Sequence, residues 1–257
     1  MRLVVKVGTS TLAYPTGRIN IRHVEELVKV LSDLKNAGHQ VILVSSGAIG
    51  MGVGKLNLPA RPSDMPGKQA AAAVGQCELM YTYDRLFAQY NHTVAQILLT
   101  GNDVEVPARR ENFINTLERL LELNVLPVIN ENDTVATAEI SVGDNDTLGA
   151  VVSTCVHADL LVLLSDIEGL YTADPRKNPD ARLIPRVGQI TPEIEALAGG
   201  AGSGLGTGGM ATKLKAARLV NGAGCEMVIT NGEHPAVLYD IVEGKPVGTR
   251  FTGRDEA

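Results

Sequence analysis

Short apolar runs of β-forming residues alternate along this chain with longer segments whose apolar residues recur at helical spacing. No other feature restricts the fold as much. The first run is LVVKV at residues 3–7. Asn20 then offers a helix N-cap, Val24, Leu27, Val28, Leu31 and Leu34 lie along one helical face, and Gly38 supplies a C-terminal stop. The second run, VILV at 41–44, completes a strand–helix–strand unit, which demands a parallel pair of strands. Residues 56–66 are proline-rich and irregular, as expected of an exposed loop or lid.

The alternation then resumes. A long helix is expected over 68–89, a strand over 93–99, a helix carrying Phe113, Leu117, Leu120 and Leu121, and strands over 126–129 and 160–164. Helices over 211–223 and 237–242 and strands over 227–230 and 247–251 complete the chain. This order predicts an α/β protein, a three-layer αβα sandwich around a mainly parallel open sheet. With neither an internal repeat nor a long linker, residues 1–257 are expected to form a single domain.

Composition excludes several classes of function. The net charge of −6 disfavours nucleic acid as principal partner, since phosphate-backbone binding needs a basic face. Cys77, Cys155 and Cys225 are odd in number and widely spaced, which fits reduced thiols and neither a disulfide framework nor a zinc site. No stretch approaches the roughly 18 continuous apolar residues of a membrane helix, and MRLVVKVG is too short and too soon polar for a signal peptide. The expectation is a cytoplasmic protein with no membrane partner.

In parallel sheets the ligand crevice lies beyond the carboxyl ends of the strands. Four informative stretches emerge there. Lys6 closes the first strand and is costly to bury unless it meets an anion, the alternative being an edge lysine reaching solvent. SSGAIGMGVG follows the second strand. NENDTVATAEISVGDND follows the strand ending at Ile129 and gathers Glu131, Asp133, Glu139, Asp144 and Asp146 with Asn130, Asn132 and Asn145, opening a helix at Thr147. Such a cluster repels itself unless it is solvated, binds cations or hydrogen-bonds an amino group. SDIEGLYTADPR follows the strand at 160–164.

A fifth stretch, GGAGSGLGTGGMATK at 199–213, reads as a phosphate cradle. Its glycines let backbone N–H groups face one concavity, the next helix begins there, and Lys213 adds a charge. Gly204, Gly206 and Gly209 satisfy G-x-G-x-x-G, but a short helix and turn precede them where the dinucleotide fold needs a strand. The Walker A pattern occurs nowhere. A flexible surface connection stays open on composition alone.

Together VVKVGTS at 4–10, VSSGAIGMG at 44–52, PVINENDTVATAEISVGDND at 127–146, LLSDIEGLYTADPR at 163–176 and SGLGTGGMATK at 203–213 resemble the amino acid kinase family, in the expected order and across nearly the whole chain. INENDTVATAEI with GDND resembles its glutamate-phosphorylating branch. The resemblance implies that fold, with ATP over the carboxy-terminal half and the acceptor over the amino-terminal half. It implies transfer of a phosphoryl group from ATP, with Mg²⁺ carried by the nucleotide, to the γ-carboxylate of L-glutamate. The product is L-glutamyl 5-phosphate, the first intermediate of proline biosynthesis.

By the same resemblance Lys6, Lys213 and Asp146 are catalytic, with Asp146 orienting both lysines. Lys6, Gly8, the pair Ser165 and Asp166, and the run Thr207, Gly208, Gly209, Met210, Ala211, Thr212 and Lys213 would bind ATP. The family more often has Thr-Asp where Ser165 and Asp166 stand. Ser46, Asp133 and Asn145 would bind glutamate, Asp133 facing its ammonium, with Gly47, Ala48 and Asp144 as weaker additions. No residue is assigned to a metal. Feedback by proline would be sensed near Glu139, and a homo-oligomer, dimer or tetramer, is expected. Many members carry an additional carboxy-terminal PUA domain, which is expected to be missing from a chain ending at Ala257. Sister kinases of other carboxylates, an NAD-dependent oxidoreductase and a silent amino-acid sensor are the competing readings.

Overall fold

The computed structural model describes residues 1–257 except 15, 17, 138–141, 199–208 and 254–257. In chain order, β1 (Arg2–Val7) leads through α1 (Thr9–Leu12) and α2 (Ile21–Asn36) to β2 (Gln40–Ser45). Next come α3 (Ala48–Lys55), α4 (Met65–Ala88), β3 (Val94–Leu99), α5 (Gly101–Glu105), α6 (Pro107–Glu122) and β4 (Leu126–Glu131). Then α7 (Asn145–Cys155) precedes β5 (Leu160–Ser165), β6 (Arg186–Val187) and α8 (Pro192–Ala196). Finally α9 (Met210–Gly222), β7 (Glu226–Asn231), α10 (Val237–Val242) and β8 (Thr249–Phe251) complete the order. The strands form one sheet in the order β3-β4-β2-β1-β5-β7-β8-β6. All pairings are parallel except that of β7 with β8.

The sheet divides two apolar layers, and side-chain alternation along β1 assigns each residue to one of them. Leu3, Val5 and Val7 pack with Val24, Leu27 and Leu31 of α2, Leu79, Tyr83 and Phe87 of α4, and Leu238 and Ile241 of α10. Val4 points the other way, joining Phe113 and Leu117 of α6, Leu148 and Val152 of α7, and Leu214 and Val220 of α9. This is the αβα sandwich expected from the alternation of elements. All three cysteines are free thiols, Cys155 and Cys225 being buried.

Caps fix the helix starts. The Asn20 side chain accepts the His23 N–H at the start of α2, and the Asp64 carboxylate accepts the Gly67 N–H at 2.8 Å in the first turn of α4. At α7 the carboxylate of Asp144 accepts both the N–H and the hydroxyl hydrogen of Thr147, each at 2.9 Å. That cap starts the helix at Asn145, two residues before the expected Thr147. The stretch expected as a strand over 247–251 is shorter, Thr249–Phe251, and pairs antiparallel to β7.

α3 and α4 cross at backbone contact. A Cβ on Gly52 would fall 1.8 Å from the carbonyl oxygen of Ala71, and one on Gly75 would fall 1.7 Å from that of Ala48. Only hydrogen fits at either position. Among the described residues no helix is long and apolar enough to cross a membrane.

Candidate active site

Lys6 is in register with Val44 of β2 and Leu163 of β5, one residue before β1 ends. Alternation sends its side chain to the same face as Val4, toward α7 and α9. There it passes over Gly149 of α7, where an added Cβ would stand 3.6 Å from the Lys6 Cβ. Its ammonium ends 2.7 Å from Oδ1 of Asp146, an ion pair whose angles fall short of a hydrogen bond. Lys213, in the first turn of α9, donates to Oδ2 of the same carboxylate at 2.9 Å. Asp146 is 1 % exposed and the side chains of Lys6 and Lys213 are 11 % and 6 % exposed. Burial pushes the Asp146 carboxyl upward, but the two ammonium groups outweigh that and hold it below its ordinary value.

Three charges sharing one buried position carry a net positive charge. The first turns of α7 and α9 meet there as well, so their unpaired N–H groups add to the positive potential. Gly209 is the N-cap of α9, and Thr212 donates to its carbonyl at 2.7 Å while its hydroxyl lies 3.4 Å from Asp146 Oδ2. Met210 and Ala211 follow in that first turn. Thr207, Gly208 and the glycines before them lie outside the described residues, as does Glu139. On the other side of Lys6, Gly8 is the N-cap of α1, and its Cβ position lies 3.7 Å from the Lys6 ammonium.

A chain of polar side chains runs from this cluster along the ends of β2 and β4. The Asn145 amide donates to the Ser46 hydroxyl at 2.7 Å and to the Asn130 carbonyl oxygen at 3.0 Å. Asn130 in turn donates to Gln76 of α4 at 3.0 Å, and Gln76 donates to Gln96 of β3 at 3.3 Å. Gly47 takes the left-handed conformation, φ 107°, that turns the chain from β2 into α3, and Ala48 is buried. Beside them Glu131 accepts the Val142 N–H at 2.7 Å. Asp133 is half-buried, and its carboxyl is pushed up to about 6 by desolvation and by repulsion from Glu131, with Arg61 pulling the other way.

At the end of β5 the Ser165 hydroxyl donates to the exposed Asp166 carboxylate at 3.2 Å. A cavity of about 530 Å³ opens beside this pair, walled also by Ser10, Thr11, Tyr14 and Asn231. The structure thus brings Lys6, Asp146 and Lys213 into contact, with Asn145 and Ser46 alongside. It leaves Asp144 engaged with Thr147, so that this residue shapes the start of α7.

Gln76 and Gln96 are absent from the expected site, and Asn130 enters the sequence reading only as one member of a polar cluster. Asn130 carries the one available signal, as a polar residue directly continuing a fully apolar strand.

A mainly parallel αβα sandwich with two lysines clamped on one aspartate beyond its strand ends defines a class, the kinases of small-molecule acceptors. The pattern of the amino acid kinase family matches residues 1–231. Glutamate 5-kinase of Listeria innocua is 54 % identical over 259 residues, covering 99 % of this chain and 94 % of its own. Glutamate 5-kinase of Clostridium tetani is 58 % identical over 249 residues, covering 97 % and 93 %. Carbamate kinase from Giardia lamblia shares the fold with a TM-score of 0.69 at 18 % identity, covering 99 % of this chain and 98 % of its own. The chain belongs to the amino acid kinase family and, within it, to the glutamate 5-kinases.

Proposed function

We propose that the protein transfers the γ-phosphoryl group of ATP to the γ-carboxylate of L-glutamate, giving L-glutamyl 5-phosphate and opening proline biosynthesis. The observation that carries this reading is the Lys6–Asp146–Lys213 cluster. Phosphoryl transfer asks a protein chiefly to align donor and acceptor and to neutralise charge spread over the transferred group. Two buried ammonium groups, held apart by one carboxylate, supply that charge at a fixed place. The high identity to glutamate 5-kinases over nearly the full chain supports glutamate as the acceptor.

In this reading the single domain is divided by function. The amino-terminal half takes glutamate and the carboxy-terminal half takes ATP. Lys6 bridges the two substrates, Lys213 holds the phosphate tail, and Asp146 sets the position of both. Backbone N–H groups of Gly8, Gly209 and Met210 complete the phosphate cradle, with Ser165 and Asp166 toward the nucleoside. Ser46 and Asn145 hydrogen-bond the acceptor, and Asp133 pairs with its ammonium. The acceptor carboxylate is already ionised at neutral pH, so no general base is required.

Among the described residues no three His, Cys, Asp or Glu side chains could enclose a metal ion, and Asp146 is shared by two lysines. Mg²⁺ would arrive on the nucleotide and supply charge neutralisation to its phosphates. The reading further includes a cytoplasmic homo-oligomer inhibited by proline, which sedimentation and a proline titration of activity test. The decisive experiment is an ATP-dependent hydroxamate assay across a panel of carboxylates. Turnover of L-glutamate well above N-acetylglutamate, aspartate and carbamate is expected, and preference for any other acceptor removes the reading.

A further inference from the structure

Two buried amides meet where α4 packs on the sheet. Gln76 is 7 % exposed and Asn130 is 2 % exposed. Asn130 shares a face of β4 with Val128, the face toward α2 and α4. The hydrogen bonds that join these amides to the site run in one sense only, and a single backbone group sets that sense. The Glu131 N–H, which can only donate, lies 2.9 Å from Asn130 Oδ1 and so fixes which end of that amide is oxygen. The Asn130 nitrogen must then face Gln76, whose Oε1 accepts it at 3.0 Å, and the Gln76 nitrogen donates in turn to Gln96 at 3.3 Å. The second lone pair of Asn130 Oδ1 takes the Asn145 nitrogen at 3.0 Å. Both hydrogens of that nitrogen are thereby used, the other one on Ser46 Oγ at 2.7 Å. Ser46 is an acceptor toward Asn145, and its own hydroxyl hydrogen, donated to no described residue, faces the site.

We propose that Gln76 is a positioning residue for the acceptor: acting through Asn130 and Asn145, it holds the Ser46 hydroxyl as a donor toward the acceptor's carboxylate. The proposal rests on the glutamate-phosphorylating reading above and adds to it what orients two of its contacts. The backbone keeps Gln76 and Ser46 at a fixed separation. Gly75, next to Gln76, packs on the first turns of α3 so closely that a Cβ there would stand 2.4 Å from the Gly52 nitrogen, and α3 begins two residues after Ser46. Without the Gln76 oxygen the Asn130 nitrogen would be buried with no acceptor, which favours any rotation of the amide that finds one. A turned Asn130 no longer offers oxygen to Asn145. Asn145 can then reverse, its oxygen would take the Ser46 hydrogen, and the acceptor's carboxylate would meet no donor there.

The test is a double-mutant cycle between Gln76 and Ser46, read by steady-state kinetics with L-glutamate and ATP. Gln76→Met, close in shape and unable to accept from Asn130, should raise KM for glutamate about tenfold, the worth of one neutral hydrogen bond. Its kcat and its KM for ATP should stay within about twofold. In the Ser46→Ala background the same substitution should change KM for glutamate by less than about twofold, because the hydroxyl it acts through is gone. Should Gln76→Met fail to fold, Gln76→Asn, one methylene shorter and out of reach of Asn130, carries the same test. A KM for glutamate within twofold of the wild type overturns the proposal. So does an equal rise in KM for ATP, or a tenfold rise that persists without the Ser46 hydroxyl, since either would reduce Gln76 to packing. If the wild type fails to phosphorylate glutamate at all, the acceptor reading itself falls, and this inference with it.

Discussion

Lys6 and Lys213 grip the two oxygens of a single buried carboxylate, Lys6 at 2.7 Å from Oδ1 of Asp146 and Lys213 at 2.9 Å from Oδ2. The strand and the helix that supply them are separated by most of the chain, and α7 carries the carboxylate between them. The distance between the two ammonium groups is therefore set by the aspartate, before any substrate arrives. Such preorganisation is what electrostatic catalysis requires.

Replacing either lysine with alanine should lower kcat by roughly two to three orders of magnitude, since each removes charge stabilisation made in the transition state. KM for glutamate should change far less. Steady-state kinetics with both substrates at saturation check this, and near-normal turnover in either variant would remove the cluster from the chemistry.

Acid should weaken glutamate binding through Asp133. Its carboxyl is raised to about 6 in the free protein, so below that pH it carries a proton and no longer attracts the ammonium. We expect kcat/KM for glutamate to fall about tenfold per pH unit below that value and to be flat above it. In Asp133→Asn the inflection should vanish and KM should rise. An inflection that persists in the variant assigns it to another group.

The same carboxylate should cost stability. Because its folded value lies above the ordinary 3.8, the ionised form is disfavoured by the fold. The destabilisation is absent below pH 3.8 and complete above about 6. Asp133→Asn should then raise stability at neutral pH by on the order of 2 kcal/mol and leave it unchanged in acid. Denaturant unfolding at two pH values measures both, and equal effects at the two would show that ionisation is not the cause.

Gly75→Ala should lower Tm sharply, because the new methyl would stand 1.7 Å from the Ala48 carbonyl oxygen. The helices α3 and α4 must separate, at a cost of roughly 2–4 kcal/mol typical of overpacked contacts. If Ala48 borders the acceptor as the family resemblance implies, KM for glutamate should also rise in any protein that still folds. An unchanged Tm would mean that this crossing is looser than the structure shows.

The sequence reveals most of this architecture because the sheet is buried on both faces. Strands such as LVVKV and LLVLLS are then continuous apolar runs, and Lys6 stands out in one of them. Lys213 stands out at the end of a glycine-rich turn that opens a helix, whereas Asp146 is only one member of an acidic cluster, and its role comes from the family resemblance alone. The elements α1, α5 and β6 were not readable, being too short to show a period. Gln76 and Gln96 escaped for a different reason. A polar residue on a long helix or an edge strand looks solvated until the fold sets it against Asn130. Asp144, a glutamate contact by the resemblance, also accepts from Thr147 at the start of α7, one hydrogen bond to each oxygen.

The alternation along β1 has a consequence for how this gene can vary. Leu3, Val5 and Val7 feed one layer while Val4 and Lys6 feed the other. Adding or deleting one codon between Arg2 and Lys6 would rotate the ammonium into the layer of α2 and α4, and would send core side chains toward Asp146. Packing and phosphoryl transfer would be lost in the same event. Evolutionary drift in this strand is thus confined to exchange of one apolar residue for another, with length forbidden to change.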